Sequence, residues 1–361
     1  MKFRVGLVII SMVLSLLIGL SLSQKSGEGT NGSATKKDKI LIGFSMDTQK
    51  EARWQRDRDI FTAHARELGA EVLVQSANSD DTRQMQDIQS LLSNNVDVLV
   101  IVPHNGAAMA KAVRLAHEMG VPVLAYDRMI TDCDLDVYIA FDNVKVGEAQ
   151  AAYLAGALQS RGKKKIVRIY GANTDHNAFL FKEGQDKILN PLIERGEIEV
   201  VHEDWAENWK PEMAKKITNA AITRYGSGID GILASNDGTA GGSIQALLEE
   251  GVAGDILVTG QDADLVACQR IVAGSQAMTI YKPLKNLAMK AAEVAVKLAK
   301  GKPVVARDVT NNGKIDVPSV LMEVTTVTKD NMMETVIADN FHPFEDVYRN
   351  IPEDQRPKIQ E

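Results

Sequence analysis

The sequence predicts an α/β fold made of two doubly wound, parallel-sheet (Rossmann-like) lobes that follow each other along the chain. Three observations predict it. Short, nearly continuous apolar runs rich in β-branched residues recur at regular spacing, and amphipathic stretches of about 12 to 18 residues separate them. The series occurs twice, from about residue 39 to 142 and again from about 146 to 279. Repeated strand–helix units of this kind form open parallel sheets.

Ten apolar runs are interpreted as strands, five in each pass. Because they lack the alternation of a half-exposed strand, they suit a sheet that is buried on both faces. In the first pass they are residues 40–44, 72–74, 98–102, 123–125 and 137–140, and in the second 166–170, 198–201, 231–234, 256–258 and 277–280. Between them, Met85, Ile88, Leu91 and Leu92 share one helical face and exemplify the predicted helices.

The chain after the second pass is expected to be less regular. One more helix is predicted over residues 284–300, ended by Gly301, Lys302 and Pro303. A last strand-like run covers residues 320–324. The tail from Phe341 is polar and contains prolines, so we expect it to be irregular.

Composition excludes several classes of protein. The 361 residues are about two domains in length, and 41 Lys and Arg against 48 Asp and Glu give a net charge of −7. A mildly acidic chain with no basic block beyond residues 163–165 is a poor nucleic-acid binder. Only two cysteines are present, which excludes a disulfide scaffold or a multi-cysteine metal site. Cys133 and Cys268 lie in different predicted lobes; buried or inert thiols are expected, with a bond between the two as the alternative.

The N-terminus is interpreted as a targeting segment. Lys2 and Arg4 precede an apolar run over residues 5–23, and a Gly/Ser-rich polar stretch follows. A basic start, an apolar core and small residues at its end are typical of a secretory signal, with cleavage after Ser23. The run is also long enough to remain as an uncleaved membrane anchor. In both cases the part from Lys39 onward is predicted to lie outside the cytoplasm.

Polar and aromatic residues follow the predicted strands at the ends where open parallel sheets bind ligands. Carboxylate, amide and guanidinium groups there can pair with adjacent hydroxyls of a sugar, and an indole ring can lie against the apolar face of a pyranose. A Gly-x-Ser-x-Gly elbow, a P-loop and a Gly-x-Gly-x-x-Gly after the first strand are all missing from the sequence. The pattern therefore favours binding of a small polyol over catalysis.

Structural interpretations of the same residues stay open. A polar residue after a strand is often a helix N-cap, and Asp142, Asp237 and Asp264 look most like caps. Trp209, close to Pro211, is expected to pack in the first turn of a helix. Residues 308–313 partly match the start of a calcium loop, but Ser319 stands where the bidentate Glu belongs, so no metal site is predicted.

Several of these segments together resemble a known family. They include Arg53-Trp54, the triplet Tyr126-Asp127-Arg128, and residues 74–78, 141–143, 234–237, 260–264 and 278–283. The chain resembles the type I periplasmic sugar-binding proteins of the ribose/galactose type over about residues 39 to 345. The Arg-Trp, Gln-Asp-Ala-Asp and Tyr-Lys-Pro segments narrow the resemblance to the branch that binds D-xylose.

The resemblance implies two lobes joined by three hinge strands and closing around a monosaccharide. By position, the implied ligand-binding residues are Arg53, Trp54, Asp127, Arg128, Asn177, Trp205, Asn236, Asp262 and Lys282. Trp54 and Trp205 would sandwich the ring, and Asp127 and Arg128 would bind adjacent hydroxyls or the ring oxygen. Asn236, Asp262 and Lys282 would hold the opposite edge. Phe179 stands where related ribose binders have an arginine.

The implied division of the chain makes both lobes discontinuous, with crossings near Asn143, Lys282 and Lys302. Residues 1–38 are the signal or anchor with a linker. Residues 39–143 and 283–302 form the N-terminal lobe, 144–282 and 303–340 the C-terminal lobe, and 341–361 a tail. The implied partner is the permease of an ABC-type sugar transporter, to which the protein delivers D-xylose or a related monosaccharide. The alternative is an anchored sensor that signals to a membrane histidine kinase. An enzyme, a cofactor and nucleic acid are not expected.

Overall fold

The computed structural model describes residues 39–358, with thirteen strands and ten α-helices in that part of the chain. The strands are β1 Ile40–Met46, β2 Ala70–Ser76, β3 Val98–Val102, β4 Val123–Tyr126, β5 Val137–Phe141, β6 Lys165–Tyr170, β7 Glu199–Trp205, β8 Gly231–Ala234, β9 Leu257–Val258, β10 Thr279–Tyr281, β11 Asp308–Asn311, β12 Asp316–Met322 and β13 Thr325–Val327. The helices are α1 Ala52–Glu67, α2 Asp81–Ser93, α3 Ala110–Glu118, α4 Asn143–Gln159, α5 His176–Glu194, α6 Pro211–Tyr225, α7 Asp237–Glu249, α8 Leu265–Ala273, α9 Leu284–Ala299 and α10 Phe344–Val347.

The predicted targeting segment, residues 1–38, lies outside the described residues. Within residues 39–358, no helix combines the length and the apolar character that crossing a membrane requires.

The first lobe is built on a seven-stranded sheet in the order β11-β12-β5-β4-β3-β1-β2. All neighbours pair in parallel except β11 and β12, which form an antiparallel hairpin. The central strands β3, β4 and β5 are buried throughout, as their continuous apolar runs predict. Helices cover the sheet on both sides, so the doubly wound architecture of this lobe is confirmed.

The second lobe is built on a four-stranded parallel sheet in the order β7-β6-β8-β9. The predicted fifth strand of this lobe, β10, pairs instead with β13 in a separate antiparallel ribbon, in which Thr279 lies opposite Val327. The sheet packs against α6 and α7 on one side and α4 and α5 on the other. The two-lobe α/β fold predicted from the sequence is confirmed.

Three crossings join the lobes, and two lie where the resemblance implies. The chain leaves the first sheet between β5 and α4 at Asn143, and returns between β10 and α9 at Lys282. The third crossing is between β12 and β13, not near Lys302. The assignment of residues 308–322 to the second lobe is therefore wrong, because β12 pairs in parallel with β5, with Ser319 opposite Tyr138, and extends the first sheet.

The C-terminal tail is more ordered than its composition predicts. It contains the short helix α10, and Val347 and Tyr348 are buried against Cys268 and Ile271 of α8. Because the tail is mostly polar, its composition did not indicate that a few apolar residues would anchor it against α8. The cysteine prediction is confirmed, because Cys133 and Cys268 are both free and buried, one in each lobe.

Candidate functional site

A cavity lies between the two lobes at the carboxyl ends of their strands. Residues after β1 and β4 line it from the first lobe, and residues after β6, β7, β8 and β9 line it from the second. Its lining residues are Glu51, Arg53, Trp54, Asp127, Arg128, Asp175, Asn177, Phe181, Trp209, Asn236, Gln261, Asp262 and Lys282. Strand ends of both sheets therefore converge on one chamber.

Arg53, at the start of α1, lies at the centre of a buried ion network. Its Nη2 is 2.7 Å from Asp127 Oδ2 and 3.3 Å from Asp57 Oδ2, and its Nη1 is 3.2 Å from Asp262 Oδ1. Asp57 also accepts a hydrogen bond from the hydroxyl of Tyr126. Because Asp262 belongs to the second lobe, Arg53 holds carboxylates of both lobes.

The electrostatics of this network keep Arg53 and Asp127 charged. Burial alone would lower the pKa of the Arg53 guanidinium, but the carboxylates of Asp127, Asp57 and Asp262 outweigh it and raise that pKa well above its ordinary value. Burial acts to raise the pKa of Asp127, but Arg53 and Lys282 outweigh it and lower that pKa. Asp127 is therefore a carboxylate at neutral pH and accepts hydrogen bonds only.

Arg128 makes a second pair of charged contacts across the cleft. Its Nη1 is 2.7 Å from Asp47 Oδ2 in the first lobe, and its Nε is 2.9 Å from Asp175 Oδ2 in the second. Beside it, Asn177 donates from Nδ2 to the backbone oxygen of Asp127 at 2.9 Å. These contacts require the lobes to be close together, so the structure is a closed form.

Two indole rings contribute flat apolar walls, one from each lobe. The ring of Trp54 is covered by the guanidinium carbons of Arg53 and Arg128, 4.2 and 5.2 Å from its centroid. Trp209 is buried and donates from Nε1 to Asp175 Oδ2 at 3.2 Å. Phe181 meets the Trp209 ring edge-on, with the centroids 6.2 Å apart.

Lys282 and Asp262 form the hinge side of the cavity. The Lys282 ammonium is 3.3 Å from Asp262 Oδ1 and 5.5 Å from the ring centroids of Phe141 and Phe181. Only 2% of Lys282 is exposed, so a fully buried cation faces the cavity at the crossing between β10 and α9. Its charge is balanced by Asp262, and its ammonium also lies close to the faces of two aromatic rings.

Eight of the nine residues implied by the resemblance line this one cavity: Arg53, Trp54, Asp127, Arg128, Asn177, Asn236, Asp262 and Lys282. The structure contradicts the predicted position of Trp205. It is the last residue of β7, and its ring contacts those of Tyr170 and Phe179, with centroids 4.9 and 4.8 Å away. Trp209, interpreted from the sequence as helix packing, occupies the cavity wall instead.

The sequence prediction also missed Glu51, Asp175, Phe181 and Gln261, which line the cavity as well. Gln261 and Asp175 lie in stretches whose neighbours were singled out, so strand-end position was an available signal for both. Glu51 directly precedes α1 and Phe181 lies within α5, and nothing in either pattern separates a cavity-facing residue from a packing or capping one.

The N-cap interpretations have mixed outcomes. Asp142 caps α4 by accepting from the Lys145 backbone, as predicted. Asp264 occupies the N-cap position of α8 without a side-chain cap bond. Asp237 is not a cap, because the cap of α7 is Asn236, whose Oδ1 accepts from the Thr239 backbone N–H. Asn236 therefore lines the cavity with its orientation fixed by capping.

The partial calcium-loop match at residues 308–313 forms the hairpin between β11 and β12. There the side-chain oxygen of Asn312 accepts from the backbone N–H groups of Lys314 and Ile315 and makes a tight turn. Among the described residues, no cluster of three or more His, Cys, Asp or Glu side chains could hold a metal ion.

A two-lobed α/β protein with a polar, aromatic-walled cavity in its cleft matches a known class of binding protein. Residues 42–303 match the periplasmic binding protein domain family, and the chain belongs to that family. It is 47% identical to the D-xylose-binding periplasmic protein of Haemophilus influenzae, over 88% of this chain and 95% of that protein. It is also 47% identical to the D-xylose-binding periplasmic protein of Escherichia coli, over 87% of this chain and 94% of that protein.

A solved structure supports the same placement. The chain resembles a carbohydrate transporter solute-binding protein from Chloroflexus aurantiacus in complex with D-glucose, with a TM-score of 0.79 and 31% identity. The match covers 85% of this chain and 98% of that one.

Proposed function

We propose that the protein binds D-xylose between its lobes outside the cytoplasm and delivers it to the permease of an ABC-type transporter. The observation that carries the proposal is the cavity itself, which both lobes line with carboxylates, cations, amides and two indole rings. A ligand that contacts both walls favours the closed form by the contacts it makes there. The 47% identity to two D-xylose-binding periplasmic proteins supports xylose among the sugars.

The charges of the lining favour a neutral ligand. Three cations, Arg53, Arg128 and Lys282, are each within 3.3 Å of a carboxylate oxygen, so none is left for a phosphate or carboxylate of the ligand. A sugar hydroxyl both donates and accepts, and so it can join such pairs without breaking them. The lining therefore suits a polyol better than a sugar phosphate.

In the proposed complex, Trp54 and Trp209 enclose the two faces of the pyranose ring. Asp127 and Arg128 bind adjacent hydroxyls or the ring oxygen from the first lobe. Asn177, Asn236, Asp262 and Lys282 hold the sugar from the second lobe and the hinge, and Arg53 links Asp127 to Asp262 across the cleft.

Transport is favoured over sensing for this chain. The 47% identical relatives are periplasmic binding proteins. The fructose-binding periplasmic domain of a hybrid two-component system is 21% identical to this chain, and at that identity only the fold is shared. Anchoring by residues 5–23 stays a prediction from the sequence, and membrane fractionation of the expressed protein separates it from cleavage after Ser23.

Calorimetric titration of the purified protein with D-xylose, D-glucose, D-ribose and L-arabinose tests the proposal. We expect one tight site per chain and a clear preference for D-xylose. Preference for another of these sugars would keep the binding function and overturn the assigned ligand. The absence of binding to all four would contradict the function.

A further inference from the structure

We propose that Gln261 is an additional sugar-binding residue, whose side-chain oxygen accepts a hydrogen bond from one ligand hydroxyl. The inference rests on the proposed function and deepens it. Gln261 follows β9, lines the cavity and is only 3% exposed.

One end of the Gln261 amide is held by the protein, and the other end is free. Its Nε2 donates to the backbone oxygen of Ser235 at 3.2 Å. Because that carbonyl can only accept, the amide orientation is fixed, with the nitrogen toward Ser235 and Oε1 away from it. The Oε1 atom is buried and has no hydrogen-bond partner within the described part of the chain.

Gln150 gives a direct comparison, because its Nε2 donates to the same Ser235 oxygen, at 3.1 Å, and to Gly260 O at 3.0 Å. Its Oε1 accepts from Gln185 Nε2 at 3.2 Å, so both ends of its amide are paired. Gln150 is not among the residues that line the cavity. Both glutamines donate to the backbone oxygen of Ser235. Of the two, it is Gln261 whose Oε1 has no hydrogen-bond donor in the described part of the chain.

The unpaired atom indicates what the ligand must supply. A buried acceptor without a donor is destabilising, and native proteins rarely keep one without a reason. Glu51, which also lines the cavity, has a buried Oε2 that likewise lacks a hydrogen-bond partner in the described part of the chain. Both unpaired atoms are acceptors, so the ligand must bring donors. A neutral polyhydroxylated molecule does this, whereas an ionised carboxylate or phosphate brings acceptors only.

The test compares Gln261→Met with Gln150→Met, each titrated calorimetrically with D-xylose after circular dichroism has verified folding. Methionine keeps the length of glutamine and removes its hydrogen-bonding atoms. We expect Gln261→Met to weaken binding about 5- to 150-fold, since the sugar hydroxyl loses its acceptor in a buried site. Gln150→Met should stay within about threefold of the parent, because its amide makes no ligand contact.

A ligand series then separates direct contact from a structural effect. The parent and Gln261→Met are titrated with 1,5-anhydroxylitol and with the 2-, 3- and 4-deoxy analogues of xylose. For the analogue that lacks the hydroxyl bound by Gln261, the two proteins should bind equally, whereas for the other three the variant should remain weaker. An equal loss with all four analogues, or no loss with D-xylose, would overturn the proposal.

Failure of the inference is distinguishable from failure of the function. A parent protein that does not bind D-xylose contradicts the function, whereas a parent that binds and is matched by Gln261→Met contradicts only this assignment. If Gln261→Met does not fold, a crystal structure of the parent with D-xylose decides. A sugar oxygen within 3.2 Å of Oε1 supports the proposal, and its absence there overturns it.

Discussion

Trp209 reaches the cavity wall through the backbone conformation of two adjacent residues. Asn208 and Trp209 both have positive φ, 51° and 56°, which is uncommon outside glycine. This left-handed pair turns the chain after β7, so that the Trp209 ring meets Phe181 edge-on and its Nε1 donates to Asp175. Trp205, at the end of the strand itself, packs instead against the tilted rings of Tyr170 and Phe179.

The two tryptophans therefore make a matched pair for mutation. Trp209→Ala should weaken D-xylose binding by about 1 to 3 kcal/mol, the range for a well-packed aromatic anchor, whereas Trp205→Ala should leave the affinity nearly unchanged. Calorimetric titration measures both. Loss of binding in Trp205→Ala with normal binding in Trp209→Ala would show that the sequence-based assignment was right after all.

Much of the site could be predicted from strand ends, and the exceptions have physical causes. Asp127 directly follows the buried strand β4, and Asn236 lies two residues beyond the buried strand β8, so their convergence follows from the topology of parallel sheets. Trp209 lies four residues beyond β7. The direction of its side chain depends on a left-handed turn at Asn208 and Trp209, which the sequence pattern did not predict. Phe181 is one of several apolar residues of α5, and its sequence context gives no sign of the cavity.

At the level of elements, the junction after β6 depends on a glycine. A Cβ atom added to Gly171 would lie 2.0 Å from Cη2 of Trp209, so only glycine leaves space for the indole. Gly171→Ala should displace Trp209 and weaken D-xylose binding about tenfold or more. Gly156→Ala, within α4 and with nothing near its added Cβ, is the control and should bind normally. Titration of both variants with D-xylose measures the effect. Equal affinities of Gly171→Ala and Gly156→Ala for the sugar would contradict the packing argument.

Asp264, at the start of α8, has a pKa that is shifted by burial and by a neighbouring negative charge. Burial and the neighbouring Asp262 raise the pKa of Asp264 to about 6, above its ordinary value of 3.8. Between about pH 4 and 6 the folded protein then binds more protons than the unfolded chain does. Its free energy of unfolding therefore falls as pH rises through this window.

Asp264→Asn removes this titration. The variant should gain stability relative to the parent between pH 4 and pH 7, by on the order of 1 to 2 kcal/mol. Urea unfolding at several pH values measures the difference, with Asp255→Asn, an exposed aspartate, as the control. A difference between Asp264→Asn and the parent that does not change with pH would count against the perturbed acid.

At the scale of the whole molecule, contacts beside the cavity also join the lobes. His104, in the loop after β3, has Nδ1 2.8 Å from Asp81 Oδ1 of its own lobe and Nε2 3.3 Å from Asn208 Oδ1 of the second lobe. The backbone N–H of Gly106 donates to Thr174 O across the same gap at 3.3 Å. Such bonds exist only when the lobes are closed, so they contribute to closure and not to sugar selectivity.

His104→Ala should lower the affinity for D-xylose about 2- to 10-fold, the equivalent of one net hydrogen bond, and leave the preference over D-glucose unchanged. His117→Ala is the matched control, because its Nε2 is 2.8 Å from Asp136 Oδ2 within the first lobe alone. Calorimetry measures the affinities, and small-angle scattering measures the degree of lobe closure. A change in selectivity, or an equal effect of both variants, would exclude the proposed role of His104 in closure.

The division of the chain into lobes was predicted for two crossings and missed for the third. Apolar runs locate strands well, but they do not tell which sheet a late strand joins. Residues 320–324 were identified as a strand, yet only the pairing of β12 with β5 places them in the first lobe. Long-range pairing of this kind is set by the tertiary fit of a whole sheet edge, which local sequence does not encode.

The most direct test of the account is a crystal structure of the protein with D-xylose. We expect the sugar in the cleft between the lobes, its ring between Trp54 and Trp209 and its hydroxyls within hydrogen-bond distance of Asp127 and Asp262. A sugar bound at Trp205, or a cavity left empty at saturating D-xylose, would contradict the central claim that this cavity is the sugar-binding site.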